Sequence, residues 1–369
     1  MYDFLIVGAG FSGAVLAERL ANVLGKRVLI LDKRNHIGGN AHDYYNDIGI
    51  LVHKYGPHWF HTNSPEVFEY LSRFTKWRPH FHRVRSFVDG RLVPIPINMD
   101  TLNMLYNLGL SSPNEVQQYF DTVKTKIEHP SNAEEAVTSL VGVDLYEKFF
   151  KNYTIKQWST EPRLLAASVT ARIPVRTNRD DRYFTDKYQV MPLHGYHKLF
   201  ENILSSKKIH VMLNTDYREV VGQITFNKMI YTGAIDEYFD FEFGKLKYRT
   251  LDFEHENINS MQFQPYQQIN YPNDYEFTRI VEWKHATGQI HPLTTITREY
   301  SRFAEDTDEK YYPIPMEETR ILYEKYYKLT QKHQSTVFVG RLAEYKYYNM
   351  DQVVARAFKV FKDISDGNL

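Results

Sequence analysis

The 369-residue chain contains no cysteine. That excludes disulfides, thiolate nucleophiles, iron–sulfur clusters and cysteine-ligated zinc. No uninterrupted apolar run approaches the roughly 18 residues that a membrane span requires. Met1-Tyr2-Asp3 leads straight into an apolar strand pattern with neither a basic leader nor a cleavage site, so a cytoplasmic location with no membrane partner is expected. There is no excess of charge of either sign: 45 Lys and Arg balance 45 Asp and Glu. A protein that tracks phosphate backbones usually carries a basic excess, so a nucleic-acid partner is not expected. Nucleophile elbows, phosphate loops, zinc-protease signatures, internal repeats and a local pair of carboxylates suited to glycoside chemistry are also missing. What remains is of ordinary globular composition, 43% hydrophobic and 24% charged, with a length that suggests two or three domains. The surplus is aromatic: 28 Tyr, 23 Phe and 4 Trp, enough to stack on planar or sugar ligands as well as fill a core.

Asp3 to Val7 is a short apolar run that ends in Gly8-Ala9-Gly10-Phe11-Ser12-Gly13. A helical pattern follows, with Val15, Leu16, Leu20, Ala21 and Leu24 on one face, and Arg27 to Asp32 reads as a second buried strand. Gly8-x-Gly10-x-x-Gly13 therefore sits between a strand and a helix, where a dinucleotide site needs it. Gly8 permits the tight turn and Gly10 lets the backbone approach a pyrophosphate. Gly13 lets helix and strand pack closely, and the helix N-terminus supplies amides to the phosphates. Asp32, 19 residues after Gly13, is placed to accept ribose hydroxyls. His36-Ile37-Gly38-Gly39-Asn40 offers a second glycine pair for close backbone approach, a feature that favours FAD over NAD. Near the C-terminal end, Gly340-Arg341-Leu342-Ala343 follows a buried strand and precedes a helix near Met350. This sets a cation and a second helix N-terminus where a reduced flavin's anionic edge would be stabilised, although a plain ion pair explains Arg341 as well.

Elsewhere the chain reads as mainly helical from Thr101 to about Thr170, with starts at Ser112-Pro113-Asn114-Glu115 and at Asn132 with Glu135. Strands are expected at His210 to Leu213, Met229 to Thr232, Tyr248 to Glu254, Gln268 to Tyr271, Thr278 to Trp283 and Thr294 to Tyr300, the last four forming an antiparallel sheet. Helix returns at Glu317 to Gln331 and Met350 to Lys362, around a strand at Val337 to Gly340. Phe149, Phe150, Tyr153, Thr154 and Trp158 suit either a base-stacking pocket or a helix core. Arg172, Arg176, Arg179, Arg182 and Arg279 are candidates for a bidentate diphosphate clamp or for a solvated face. His58 and His61 have metal-ligand spacing, yet no third ligand is evident and no metal is expected.

Taken in order, Ile6-Val7-Gly8-Ala9-Gly10, Asp32 to Asn40, Tyr55-Gly56-Pro57-His58, Phe60-His61-Thr62, Tyr153 to Trp158, Ala171 to Pro174, Tyr183-Phe184 and Gly340 to Met350 resemble the bacterial UDP-galactopyranose mutase family over essentially the whole chain. The resemblance implies an α/β fold: a Rossmann-like FAD-binding domain with an inserted helical bundle and a twisted antiparallel β-sheet. The expected boundaries are 1–77 with 190–243 and 332–369 for the FAD domain, 98–171 for the bundle carrying a mobile loop, and 78–97 with 172–189 and 244–331 for the sheet. It implies an isomerase, active with reduced FAD, in which flavin N5 attacks the anomeric carbon and a nucleotide-sugar pyranose becomes a furanose, UDP-galactopyranose first among substrates. It also implies an external reductant and a homodimer.

Residue by residue, the same resemblance implies that Arg172, Arg279, His61 and Arg341 are catalytic. It assigns the cofactor to Gly8, Gly10, Phe11, Ser12, Gly13, Asp32, Lys33, Gly39, Asn40, His58, His61, Arg341, Asn349 and Met350. It assigns the substrate to His82, Phe149, Phe150, Tyr153, Thr154, Trp158, Arg172, Tyr183, Asn270, Arg279, Tyr312, Tyr347 and Asn349. Three positions depart from the family pattern. Trp59 stands where Ile or Leu is common, and Asn152 and Ser159 replace glycines that flank the loop. They leave open the same chemistry on dTDP-fucopyranose or UDP-N-acetylgalactosamine, and more distantly an FAD oxidoreductase of the amine-oxidase type or a non-catalytic flavin protein.

Overall fold

The computed structural model describes residues 1–171 and 174–369. Its first element is the strand Tyr2–Val7, whose Phe4, Leu5 and Ile6 are buried, so the run belongs inside a sheet covered on both faces. It lies centrally in a five-stranded parallel sheet in the order Ile209–Met212, Val28–Leu31, Tyr2–Val7, Phe226–Tyr231, Thr336–Phe338. The helix Phe11–Asn22 leaves the first strand through Gly10, and Ala14, Ala17 and Ala21 let the closing helix Met350–Ser365 pack against it through Val354 and Ala357. The expected helix extends three residues further than Lys362, and the expected strand at Val337 to Gly340 is Thr336–Phe338.

The second large sheet has seven strands in the order Tyr312–Pro313, Tyr248–Ile258, Thr294–Phe303, Arg279–Glu282, Gln268–Asn270, Val84–Val88, Arg91–Ile95. All pairings are antiparallel except Gln268–Asn270 with Val84–Val88, which run parallel. The sequence read as purely antiparallel because the parallel partner is contributed from about 180 residues upstream. Val84, Val93 and Ile95 of its edge hairpin pack against Leu102, Phe120, Val137 and Leu145, forming a separate core with the helical segment.

The helical segment is several short helices, two of them capped at the starts that the sequence predicts. Ser112 accepts from the Glu115 amide and Glu115 returns the bond in a capping box, while Asn132 accepts from the Glu135 amide at 3.0 Å. At Glu147–Lys151 the helix widens into a π-type turn before continuing as Asn152–Trp158. Such turns recur at functional sites because they shift side chains out of the regular helical register. Among the described residues no helix is long and apolar enough to cross a membrane.

Candidate active site

Two clefts adjoin. The first lies at the C-terminal ends of the parallel strands, as a doubly wound sheet dictates. Gly8, Gly10, Phe11, Ser12, Asp32, Lys33, Gly39, Asn40, His58, Arg341 and Met350, all expected near a dinucleotide, line it. The packing is that of a cradle built around absent side chains. A Cβ on Gly39 would stand 2.9 Å from the Gly10 Cα, and one on Gly340 2.7 Å from the Ser12 Oγ. Gly13 is not in the lining: its Cβ would fall 2.0 Å from the Gly8 carbonyl oxygen, so its task is close helix–strand packing. Asp32 accepts the Ala9 amide at 2.8 Å on one carboxylate oxygen and the Arg34 amide at 2.9 Å on the other. Each oxygen keeps a lone pair for a ribose hydroxyl, so the donor set fits a dinucleotide. Sequence reading missed Thr232, Tyr217, Glu309 and Lys310, which wall the same cleft. They lie on loops or, for Tyr217, at the start of a short helix, between about 200 and 300 residues from the glycine motif, with no local signal of their own.

The second cleft lies between the large antiparallel sheet and the helical segment. His58, His61, His82, Phe149, Phe150, Tyr153, Thr154, Trp158, Tyr183, Asn270, Arg279, Tyr312, Arg341, Tyr347, Asn349 and Met350 line it. His61 and Asn349, expected at the cofactor as well, line this cleft and not the first. Arg172 lies outside the described residues. Arg176, Arg179 and Arg182 are not brought here. Arg176 donates to the backbone carbonyls of Asp180 and Arg182, Arg179 pairs with Asp100, and Arg182 pairs with Asp180 at 2.8 Å. Gln157, Phe184, Gln268 and Trp59 also line the cleft. Gln157 and Phe184 were within reach of sequence reading, being embedded in the motifs around Tyr153 and Tyr183.

His58, Arg341 and Met350 belong to both clefts and mark the junction. His58 Nδ1 lies 2.8 Å from the Gly56 carbonyl oxygen, which makes Nδ1 the donor and Nε2 an acceptor. Burial, helped by Arg341 and Arg279, pushes the His58 pKa down to about 4, so the ring stays uncharged beside two guanidinium groups. Arg341 donates to the Tyr348 carbonyl at 2.5 Å, and its guanidinium lies 5.3 and 5.1 Å from the ring centroids of Tyr312 and Tyr347. Burial raises the Tyr312 pKa, keeping the phenol protonated and able to donate.

Arg279 faces Glu299 directly across the ladder. Its Nε and Nη2 both donate to Glu299 Oε1, at 2.9 and 2.6 Å, while Glu299 Oε2 is buried with no partner among the described residues. Burial alone would lower the Arg279 pKa, but the Glu299 carboxylate outweighs it and raises the pKa above the ordinary arginine value. A fixed, permanently charged guanidinium thus sits in the cleft with donors to spare for a diphosphate. Phe149 and Phe150 are 2% and 4% exposed and belong to the bundle core as well as to the cleft wall. The core reading of these two residues therefore holds, and both also reach the cleft wall. Asn152 donates to Asn273 Oδ1 at 3.0 Å, and Ser159, with φ of 47°, accepts from Arg249 at 2.9 Å. Both departures from glycine tie their segment to the large sheet.

Comparison with known proteins follows the same division. The Rossmann-like NAD(P)-binding domain profile matches residues 6–74 and the UDP-galactopyranose mutase profile matches residues 148–347. A probable UDP-galactopyranose mutase of Klebsiella pneumoniae is 38% identical over 361 residues, covering 97% of this chain and 93% of that protein. The chain belongs to the UDP-galactopyranose mutase family. Within the family, a dTDP-fucopyranose mutase of Escherichia coli is 36% identical over 368 residues, covering 97% of both chains. The mutase fold is shared with a crystal structure of reduced UDP-galactopyranose mutase, at a TM-score of 0.78 and 16% identity over 99% of this chain and 94% of that one. It is also shared with putrescine oxidase, at a TM-score of 0.62 and 11% identity over 99% of both.

Proposed function

We propose that the protein interconverts the pyranose and furanose forms of a nucleotide sugar, with UDP-galactopyranose as substrate, and that FAD occupies the first cleft. The observation that carries this reading is the junction: a dinucleotide cradle and an arginine–aromatic cleft share His58, Arg341 and Met350. The residues lining the first cleft would hold the flavin, and in its reduced form it would supply a nucleophilic nitrogen. An external reductant is needed only catalytically, because the isomerisation has no net redox change.

The chain's own residues then bind and orient. Arg279, with Arg172, grips the diphosphate, and Tyr183, Tyr312 and Tyr347 hydrogen-bond it. Phe149, Phe150, Thr154 and Trp158 hold the uridine, whose stacking on aromatic faces excludes water. Arg341, at the junction of the two clefts, would lend its charge to the reduced, anionic form of a bound flavin. The working unit is a cytoplasmic homodimer, each chain divided into an FAD domain, a helical bundle and a sheet domain as the sequence suggested.

Trp59 favours a second reading. Its indole is buried in the sugar-side wall, with ring centroids 5.3 Å from His82 and 5.4 Å from His80. A wall of this kind suits an apolar sugar edge, such as that of dTDP-fucopyranose. Chromatography of products from each donor with dithionite-reduced protein separates the two. Furanose from UDP-galactopyranose supports the first reading, furanose from the dTDP sugar alone supports the second, and stoichiometric consumption of an electron acceptor would mark an oxidoreductase instead. Trp59→Leu is expected to raise the kcat/KM ratio for UDP-galactopyranose over dTDP-fucopyranose by about tenfold, the effect of one reshaped apolar contact. An unchanged ratio would remove Trp59 as a selector.

The cradle makes its own prediction. Gly39 has φ of 55° and no room for a Cβ beside Gly10. Gly39→Ala is expected to purify without flavin, at a 450 nm to 280 nm absorbance ratio below one-tenth of wild type. Full flavin content would show that the loop does not close on the cofactor.

A further inference from the structure

His61 is held by a device that none of the assigned roles uses. It sits on the short strand Phe60–Thr62, paired antiparallel to Tyr188–Pro192, with its side chain in the wall of the second cleft. Nδ1 lies 3.0 Å from Asp186 Oδ2, and the ring stacks on Phe184 at 3.6 Å between centroids and 14° between planes. The other carboxylate oxygen of Asp186 accepts from the Asn63 amide at 3.0 Å, and Asn63 in turn accepts the Lys187 amide at 2.9 Å. Asp186 is further fixed through its carbonyl, which accepts from Gln189 at 2.9 Å. These bonds hold the carboxylate in one orientation, and the carboxylate and the Phe184 ring together orient the imidazole. An aspartate accepting at Nδ1 fixes the proton there and leaves Nε2, which has no partner among the described residues, as the nitrogen that can take or give a proton.

Resting on the mutase reading above, we infer that His61 is the proton carrier of the ring exchange and that Asp186 is its positioning residue. Opening the pyranose breaks the bond between C1 and the ring oxygen O5, which must gain a proton. Closing the furanose forms the bond between C1 and O4, and the hydroxyl on C4 must lose one. Protonated His61 gives its Nε2 proton to O5 and recovers one from O4, so the imidazole ends as it began. No electrons change hands in this exchange and no further co-reactant enters. The arrangement repeats the logic by which an aspartate holds a histidine in one tautomer, here with a half-buried carboxylate. Among the described residues, the charged and titratable groups near His61 include Asp186 behind it, His82 beside it, Asp351 bonded to neighbouring Thr62, and His58, Tyr153, Tyr183, Tyr312, Tyr347, Arg279 and Arg341 in the same cleft wall.

Asp186→Asn, Asp186→Glu and His61→Gln separate this role from a structural one. In the reduced holoenzyme, Asp186→Asn is expected to lower kcat by about 10²-fold, the usual size of a general acid–base contribution, with KM within about threefold and flavin absorbance unchanged. The inflection of kcat with pH should be displaced in Asp186→Asn and vanish in His61→Gln, and Asp186→Glu should recover part of the rate. Nitrogen-15 NMR should find neutral His61 as the Nδ1-protonated tautomer in wild type and as a mixture in Asp186→Asn, a readout independent of turnover. Wild-type kcat and an unshifted pH profile in Asp186→Asn would overturn the inference. So would a rise in KM or loss of flavin with kcat intact, which marks a structural role. Failure of wild type to form furanose from either donor would instead refute the mutase reading, and the tautomer measurement would still stand.

Discussion

Arg279→Ala is expected to cut kcat/KM by about 10³-fold while leaving the flavin bound, the loss typical of removing one aimed donor from a charge that the substrate carries. The guanidinium is the cleft's fixed cation, and its bonds to Glu299 use Nε and Nη2 on a single carboxylate oxygen. Nη1 is left over for the diphosphate. The substitution also strands Glu299, 1% exposed, as a buried carboxylate whose Oε2 already lacks a partner. Breaking one side of a buried pair costs about 3–5 kcal/mol, so Arg279→Ala should be destabilised as well as inactive. The double variant Arg279→Ala with Glu299→Gln separates the two effects. Stability should largely return, since a neutral amide tolerates the buried site, and turnover should not. Thermal denaturation and product formation, measured on the same preparations, check both halves. Turnover within tenfold of wild type in Arg279→Ala would remove this residue from the diphosphate clamp.

Stability should collapse in mild acid. Burial first, and neighbouring imidazoles or arginines second, push the pKa of His42 down to about 3 and those of His58 and His80 down to about 4. His53 and His82 are pushed well below the ordinary value in the same way. All five are neutral in the native state at pH 6, whereas the unfolded chain binds a proton at each near pH 6.5. A base whose native pKa is depressed contributes stability that is fully present above its unfolded pKa. That stability is lost as pH falls from about 6.5 toward about 4. Each group costs up to about 1.4 kcal/mol per pH unit in that window, against a typical total stability of about 5–15 kcal/mol. Three groups run the other way. Burial raises Asp43 to about 6 and also raises Asp236, and Glu282 raises His285, so all three bind protons more tightly when folded. Burial lowers His36 and His255 as well, so seven depressed rings against three raised groups leave a net loss. The thermal midpoint at constant ionic strength is expected to fall steeply between pH 7 and pH 5, with unfolding taking up several protons. A midpoint that moves by less than about 2 °C over that interval would show that these rings are not held neutral.

The glycine cradle was legible because its physics is local. The spacing of Gly8, Gly10 and Gly13, the apolar strand before them and the acid after the next strand each restrict the backbone within a few residues. The helix starts at Ser112 and Asn132 were legible for the same reason, since a cap bonds an amide only three positions on. The arginines were not. Arg176, Arg179, Arg182 and Arg279 have the same chemistry in the sequence, and only the paths of the chain around them send three to carboxylates or carbonyls outside the cleft, Arg179 to Asp100 far upstream, and one into it. Phe149 and Phe150 posed a choice between core and ligand pocket that had no answer at the level of periodicity, because a residue packed in the bundle core can also stand in the wall of the cleft.

By itself, then, the sequence determined the elements whose causes lie within a turn or two of chain: the strand–glycine–helix unit, the acidic residue behind it, the capped helices, the family pattern and the absence of any cysteine chemistry. Tertiary structure alone decided which cations meet the cleft, that Gln268–Asn270 runs parallel to Val84–Val88, that Arg279 is clamped by Glu299, and that Asp186 stands behind His61 from 125 residues away. The physical reason is range. Turn, cap and periodicity energies act over a few residues, whereas a partner across a sheet is chosen by the register of the whole ladder and the burial of both its faces.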